Sequence, residues 1–341
     1  MTTTVRAGIV GANGFLGGEL VRLLASHPFV QLTALVAGKS AGRRLSELRP
    51  ALRGPGDGLL EAFDADVLSQ RCDVVFLALP HGESAVAGRE LVARGVRVID
   101  LGSDFRIVDP AEHTRWYGKP PAAPELSAEA FYGLPELTGG APATARVIAN
   151  PGCFATALAL TLAPLQPHLA SGVDVTIFGV TGSSGSGIAP QDGTQHTLRV
   201  NNFVAYKPLK HQHMGELLQL LGQRGAVPGV RFVPHSLPAP RGIHLTLVLK
   251  ASELDGDAQA LYRAAYEGKP TVDVIEGAAA MGATLLSVRT LIGVQKVGSD
   301  VVITTAIDNL LKGGSGQAVQ NLNLWYGWDE TVGLPLVGAW P

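Results

Sequence analysis

Cysteine is scarce: Cys72 and Cys153 are the only two in 341 residues. Two thiols cannot build a disulfide framework, so reduced cysteines and a cytoplasmic setting are expected. No apolar run is long enough to cross a bilayer as a helix, and no signal- or transit-peptide pattern is expected. Like-charge blocks are missing too. The 27 basic and 29 acidic residues mix along the chain to a formal net charge of −2, which argues against nucleic-acid or anionic-membrane partners. Internal repeats and low-complexity tracts are absent, which excludes a solenoid. There is no Cys-x-x-Cys or His-Glu-x-x-His spacing, so no metal site is expected, His211-x-His213 being a weak pattern by itself.

What is present suits a compact enzyme. Hydrophobic residues make up 46% and charged residues 16% of the chain, enough for a large core, and the length favours two domains. The fold expected is α/β. A doubly wound Rossmann domain over 1–149, rejoined by a C-terminal helix from about 308–341, is followed by an α+β catalytic and oligomerisation domain on a mixed sheet over 150–307. In the first half, apolar runs at 5–10, 31–37, 74–79 and 96–101 alternate with helical stretches such as 16–26, the pattern of a parallel sheet. The Pro-rich stretch 109–143 reads as a long ordered excursion. Past residue 150, a helix over 153–163 precedes β runs at 173–180, 244–250, 285–293 and 301–307, and residues 309–324 read as helical after a Gly-rich start.

Strand one runs straight into Gly11-Ala12-Asn13-Gly14-Phe15-Leu16-Gly17. Glycines at this strand-to-helix turn allow close backbone approach, so that helix amides can face a pyrophosphate. An ordinary packing turn is the bland alternative. NAD enzymes place an acid after strand two for the ribose, yet residues 20–46 hold none. Lys39, Ser40, Arg43 and Arg44 stand there instead, groups able to bind a 2′-phosphate, so NADP(H) is the expected cofactor.

Asn150-Pro151-Gly152-Cys153-Phe154-Ala155-Thr156 sets Cys153 at a helix start, where the macrodipole and free amides favour a thiolate. A thiolate adds to an acyl carbon, and the thioester formed is reducible by hydride. Cys72 reads as structural. His211 and His213 follow Tyr206 and precede Glu216. Either imidazole could move the proton, with Glu216 orienting it. Arg106, past a strand end, and Arg241 are candidates for a carboxylate or phosphate. The loop Thr181-Gly182-Ser183-Ser184-Gly185 is amide-rich and suits an anion or the nicotinamide edge.

These motifs, with Ala306-Ile307-Asp308-Asn309-Leu310-Leu311-Lys312-Gly313, closely resemble the N-acetyl-gamma-glutamyl-phosphate reductase family of arginine biosynthesis, whose fold is similar to aspartate-semialdehyde dehydrogenase. The likeness spans nearly the whole chain. It implies NADPH-dependent reduction of an acyl phosphate to an aldehyde through a thioester on Cys153, with release of phosphate and with His211 preferred as acid/base. It also implies that Asn309 and Lys312 approach the cofactor and that the second domain forms a homodimer or homotetramer. Asn150 and Tyr206 join Arg106 and Arg241 as expected substrate contacts. The family more often has Gly-His-Arg-His-Thr-Pro-Glu where this chain has Lys210-His211-Gln212-His213-Met214-Gly215-Glu216. A sister group reduces carrier-bound aminoadipyl phosphate in lysine biosynthesis. Two rivals of other classes are a non-catalytic NADP-binding regulator, which would need no cysteine at a helix start, and a short-chain dehydrogenase, which would need Tyr-x-x-x-Lys, a spacing not expected in this chain.

Overall fold

The computed structural model describes residues 4–339; the first and last residues of the expected domain limits, 1–3 and 340–341, lie outside these. The chain divides into two compact units. One runs to Gly152 and resumes over Gly314–Leu334; the other spans Cys153–Gly313 and continues from Pro335.

The first unit holds β1 (Val5–Val10), β2 (Val30–Val36), β3 (Val74–Leu77), β4 (Arg97–Asp100), β5 (Phe131–Tyr132) and β6 (Val147–Ala149) in the order β2-β1-β3-β4-β6-β5. Every pairing is parallel. All four residues of β3 are buried, as a strand covered on both faces requires. The chain reverses its direction of spread between β1 and β3, which opens a ligand crevice beyond their carboxyl ends.

The excursion over 109–143 is more regular than its proline content suggests. It contains the helices Pro110–Tyr117, Pro124–Glu129 and Pro135–Thr138, and β5. Each of these helices opens on its proline, at a position where the missing N–H costs nothing. Asp109 also caps its helix, accepting from the amides of Ala111 and Glu112.

The second unit is built on β7 (Asp174–Thr181), β8 (Val204–Ala205), β9 (Gly229–Ser236), β10 (Ile243–Lys250), β11 (Val272–Glu276), β12 (Thr290–Val297) and β13 (Asp300–Ile307), ordered β11-β12-β13-β10-β7-β9-β8. Parallel and antiparallel pairs mix. Val175 and Ile177 of β7 with Leu245 and Leu247 of β10 are fully buried. Phe154, on the helix Cys153–Leu162, packs against that face over Gly179. Phe178 and Val248, of the opposite parity, are 53% and 52% exposed.

Two expectations need correction. The run at 285–293 is not a strand from its start: Leu286 is left-handed (φ 61°), and β12 begins only at Thr290. Leu286 N–H is held by the Asp308 carboxylate at 2.8 Å instead of a ladder partner. The terminal helix does not run from 309 either. A π-helical turn, Leu311–Ser315, precedes the helix Gly316–Trp325. Ser315 Oγ donates to Leu16 C=O at 2.8 Å, tying this helix to the glycine turn of its own unit.

Candidate active site

In the first unit the glycine turn divides into two obligatory positions and one permissive one. Gly11 has φ +91°, and a Cβ there would come within 2.3 Å of Ala78 O; at Gly17 it would come within 2.1 Å of Gly11 O. At Gly14 the nearest atom would be 3.4 Å away, so that position tolerates a side chain. Gly14 is the N-cap of Phe15–Leu24 without any side-chain cap, which leaves the first-turn amides available to an anion. Phe15 is exposed and Leu16 half-buried. The contact between Gly11 and Ala78 lies at the switch point between β1 and β3, the place where the fold seats a dinucleotide.

Asn13 Nδ2 donates to Ser40 Oγ at 3.1 Å, joining the glycine turn to the loop after β2. Arg49 Nε donates to Asn13 C=O at 3.1 Å, a further cation at this turn that lies past the window read in the sequence. Lys39 and Arg43 are exposed, and Arg43 lies 3.8 Å from Glu47. Arg44 pairs with Asp57 at 3.4 Å, and Asp57 also accepts from the amide and hydroxyl of Ser46. Acids missing from the 20–46 window thus arrive from just beyond it.

Arg106 and Asn150 are both buried. Arg106 Nε donates to Asn150 C=O at 2.9 Å and Nη2 to Leu101 C=O at 2.8 Å. Asn150 Nδ2 donates to Gly314 C=O at 3.2 Å, and its Oδ1 accepts from Asn321 at 3.1 Å. The groups expected at substrate are therefore engaged with the unit's own chain, because loops past strand ends leave buried carbonyls that need donors. Beside them Asp100 is fully buried, and burial pushes its carboxyl up to about 6. Its Oδ1 accepts from Gly102 N–H at 2.8 Å. A Cβ on Gly102 would come 2.7 Å from Ser84 Oγ, so only glycine fits between the two side chains.

In the second unit Cys153 is the first residue of its helix and is partly accessible. Cys72, by contrast, is buried against Thr33, and burial raises its thiol. Phe154 N–H donates to His213 Nδ1 at 3.2 Å, which sets His213 beside the nucleophile's helix start. His213 Nε2 lies 4.0 Å from Oε1 of the buried Glu216. His211 is buried, and its Nδ1 accepts from His213 N–H at 3.2 Å. Phe154, Tyr206, Phe232 and His213 pack around its ring. Desolvation, with His213 adding to it, pushes the His211 imidazole down to about 2, so it is neutral across the working range. Burial raises the Tyr206 phenol, and the charge of Cys153 raises it further; Tyr206 is thus a neutral donor near the sulfur.

Tyr206 and Lys210 do stand four apart, the spacing a short-chain dehydrogenase displays on a helix. Lys207 (φ 46°) and Leu209 (φ 61°) are left-handed here, and the helix starts only at His213. That rival therefore lacks its scaffold.

Arg241, expected at an oxyanion, instead forms a two-pronged pair with Asp308: Nε to Oδ2 at 3.0 Å and Nη2 to Oδ1 at 3.2 Å. Asn309 is buried, accepting from Gly242 N–H at 2.7 Å and donating to Ser184 Oγ at 3.0 Å. Gly182 N–H pairs with Gly242 C=O, and Ser183 N–H and Oγ both donate to Ala239 C=O. Lys312 is fully buried. Among the described residues no group of three His, Cys, Asp or Glu could hold a metal ion.

The sequence matches known proteins in the same two parts. A family model for the semialdehyde dehydrogenase NAD-binding domain covers residues 6–145, and one for the semialdehyde dehydrogenase dimerisation domain covers 153–309. An N-acetyl-gamma-glutamyl-phosphate reductase of Azotobacter vinelandii is 41% identical over 338 residues, covering 97% of this chain and 98% of its own. That of Laribacter hongkongensis is 43% identical over 345 residues, covering 99% and 100%. Among solved structures, aspartate semialdehyde dehydrogenase II of Vibrio cholerae has a TM-score of 0.70 at 15% identity, covering 94% of this chain and 98% of its own. A probable aspartate-semialdehyde dehydrogenase of Pseudomonas aeruginosa has 0.70 at 19%, covering 95% and 99%. At such identities these two speak for the fold alone. With about 40% identity to named reductases over nearly its whole length, the chain belongs to the N-acetyl-gamma-glutamyl-phosphate reductase family.

Proposed function

We propose that this enzyme reduces N-acetyl-gamma-glutamyl phosphate to N-acetylglutamate 5-semialdehyde, releasing phosphate, in arginine biosynthesis in the cytoplasm. The observation that carries the reading is Cys153 at a helix start with the His213 imidazole bonded to the amide of the next residue, Phe154, which sets a basic group beside the candidate nucleophile. The relatives' shared name supplies the substrate.

The tight fit at Gly11 and Gly17 suits a dinucleotide pyrophosphate, with Asn13, Gly14, Phe15, Leu16 and Ser40 around it. Arg43 and Arg44 favour a 2′-phosphate, hence NADPH, and Gly182, Ser183, Asn309 and Lys312 remain its proposed contacts from the second unit. When bound, NADPH supplies hydride to the thioester carbon.

The chain's own residues divide the rest. Cys153 attacks the acyl carbon, the carbon–oxygen bond to phosphate breaks, and the thioester forms. His213 Nδ1 faces the Cys153 helix start, where Phe154 N–H bonds it in the free enzyme, and its other nitrogen lies toward Glu216; once that amide turns to substrate, Nδ1 takes the thiol proton and gives it to the departing phosphate. His211, its Nδ1 occupied by a backbone N–H, keeps a proton on Nε2 and donates to the oxygen that becomes negative. This revises the preference for His211 as proton carrier, because a group that stays neutral makes a poor base. Cys153 leaves as the thiolate when the aldehyde forms. Tyr206, neutral and near the sulfur, is a further donor to substrate; Arg106 and Asn150 act by holding backbone, and Arg241 by holding the Asp308 carboxylate.

Cys153→Ser is the test. It should abolish phosphate-dependent reduction of NADP+ by the semialdehyde while NADPH still binds. Turnover kept in that variant would refute the thioester route. Comparing N-acetylglutamate semialdehyde with its aminoadipate counterpart decides the chain length.

A further inference from the structure

Asp308 follows β13 directly and is fully buried. Its carboxylate gathers donors from three stretches of the second unit. Arg241 contributes two, Leu286 N–H one at 2.8 Å, and the amides of Leu310 and Leu311 one each at 2.8 and 3.0 Å. Its own C=O accepts from Gly313 N–H at 2.9 Å. The acid therefore caps the π-helical turn Leu311–Ser315 at its first amides and fixes the height at which the turn begins.

That turn carries Gly313 against the nucleophile. A Cβ on Gly313 would come 2.7 Å from Cys153 Cβ and 3.1 Å from its Cα, so backbone alone can pass there. This close approach of backbone to Cys153 bounds the rotamers its sulfur can adopt. π-helical turns are costly and tend to persist where function needs them. Asp308 touches neither Cys153 nor either imidazole. Its influence passes through four residues of chain.

We infer that Asp308 is a positioning residue for the known reaction: clamped by Arg241, it holds Gly313 against Cys153 and so fixes the angle from which the sulfur attacks. The inference rests on Cys153 being the nucleophile. It also accounts for Arg241, whose guanidinium serves the turn and not the substrate's oxyanion.

The test uses the full-length enzyme with Asp308→Asn, Gly313→Ala and Cys153→Ser, read by steady-state kinetics and by carbamidomethylation of Cys153 with iodoacetamide across pH, Cys72 being buried. Asparagine keeps the shape but removes the charge that clamps Arg241 and turns one acceptor oxygen into a donor, so either the turn's amides or Leu286 N–H and Arg241 Nε lose their acceptor. Asp308→Asn is expected to lower kcat about 100-fold with little change in KM, the penalty for a misplacement near 1 Å, and to alter the pH profile of alkylation. Gly313→Ala should slow alkylation at least tenfold while NADPH binding is retained. Asp308→Glu should not rescue kcat, since the longer side chain cannot cap the same amides. If Asp308→Asn melts earlier yet below its melting point shows wild-type kcat and alkylation, Asp308 is structural only and the inference is overturned. Full turnover by Cys153→Ser would overturn the nucleophile reading instead, so the two failures are distinguishable.

Discussion

Phe154 N–H donates to His213 Nδ1 over 3.2 Å, so the amide next to Cys153 orients the His213 imidazole. His213→Asn, which keeps an acceptor for that amide but cannot carry a proton, should lower kcat by a factor on the order of 100 to 10,000 and flatten the acid limb of the pH–rate profile. His211→Asn should lower kcat while leaving that limb in place. A pH profile lost in the His211 variant and kept in the His213 variant would reverse the two roles.

Arg43 and Arg44 are exposed and lightly paired, with Glu47 and Asp57. Replacing both by alanine should raise KM for NADPH by on the order of tenfold, as expected for lost charge-assisted hydrogen bonds, and leave KM for NADH nearly unchanged. Equal rises for both cofactors would remove these arginines from 2′-phosphate recognition. Added salt should reproduce part of the effect in the wild type.

The open face of the second unit's sheet shows Phe178 and Val248 about half exposed, and Phe203 stacks on His235 beside it. An apolar face on a domain whose family model is named for dimerisation suits a second copy of the chain. Phe178→Glu combined with Val248→Glu should shift the mass in sedimentation equilibrium from oligomer to monomer. An unchanged mass would send the interface elsewhere.

Asp100 bears on stability. Its folded carboxyl is pushed up to about 6 by burial, with Asp104 adding and Ser84, Arg106 and Gly102 opposing. A carboxyl raised on folding favours the protonated native state, so its contribution is complete below the unfolded value near 4 and disappears as pH rises through about 6. Above that the ionised group weighs against folding, by about 3 kcal/mol for a shift of roughly two units. Asp100→Asn should therefore be more stable than wild type at pH 7–8 and show a shallower loss of stability between pH 4 and 6, measured by urea unfolding. A less stable Asn variant at pH 8 would mean that the carboxylate is satisfied when charged.

Much of this enzyme was legible locally. The Gly11–Gly17 turn, Cys153 at a helix start and the parallel strands of the first unit all follow from spacings of ten residues or fewer. The helix Pro110–Tyr117 was legible too, since Asp109-Pro110 is a cap followed by proline at the first helical position; the helices at Pro124 and Pro135, without a capping side chain, were less so. Left-handed Leu286 was not, because nothing in its neighbours shows that its amide is taken by Asp308.

Sequence alone therefore determined the periodicities, the turn chemistry and the placing of Cys153 at a helix start, which depend on local backbone preference and on residue type. Only the tertiary structure decided which histidine meets the Cys153 helix, that Arg241 pairs with Asp308 67 positions away, and that Arg106 and Asn150 secure main chain. Those choices depend on strand register and on where buried carbonyls and amides find partners. Both are settled by residues distant in the chain, which no local pattern encodes.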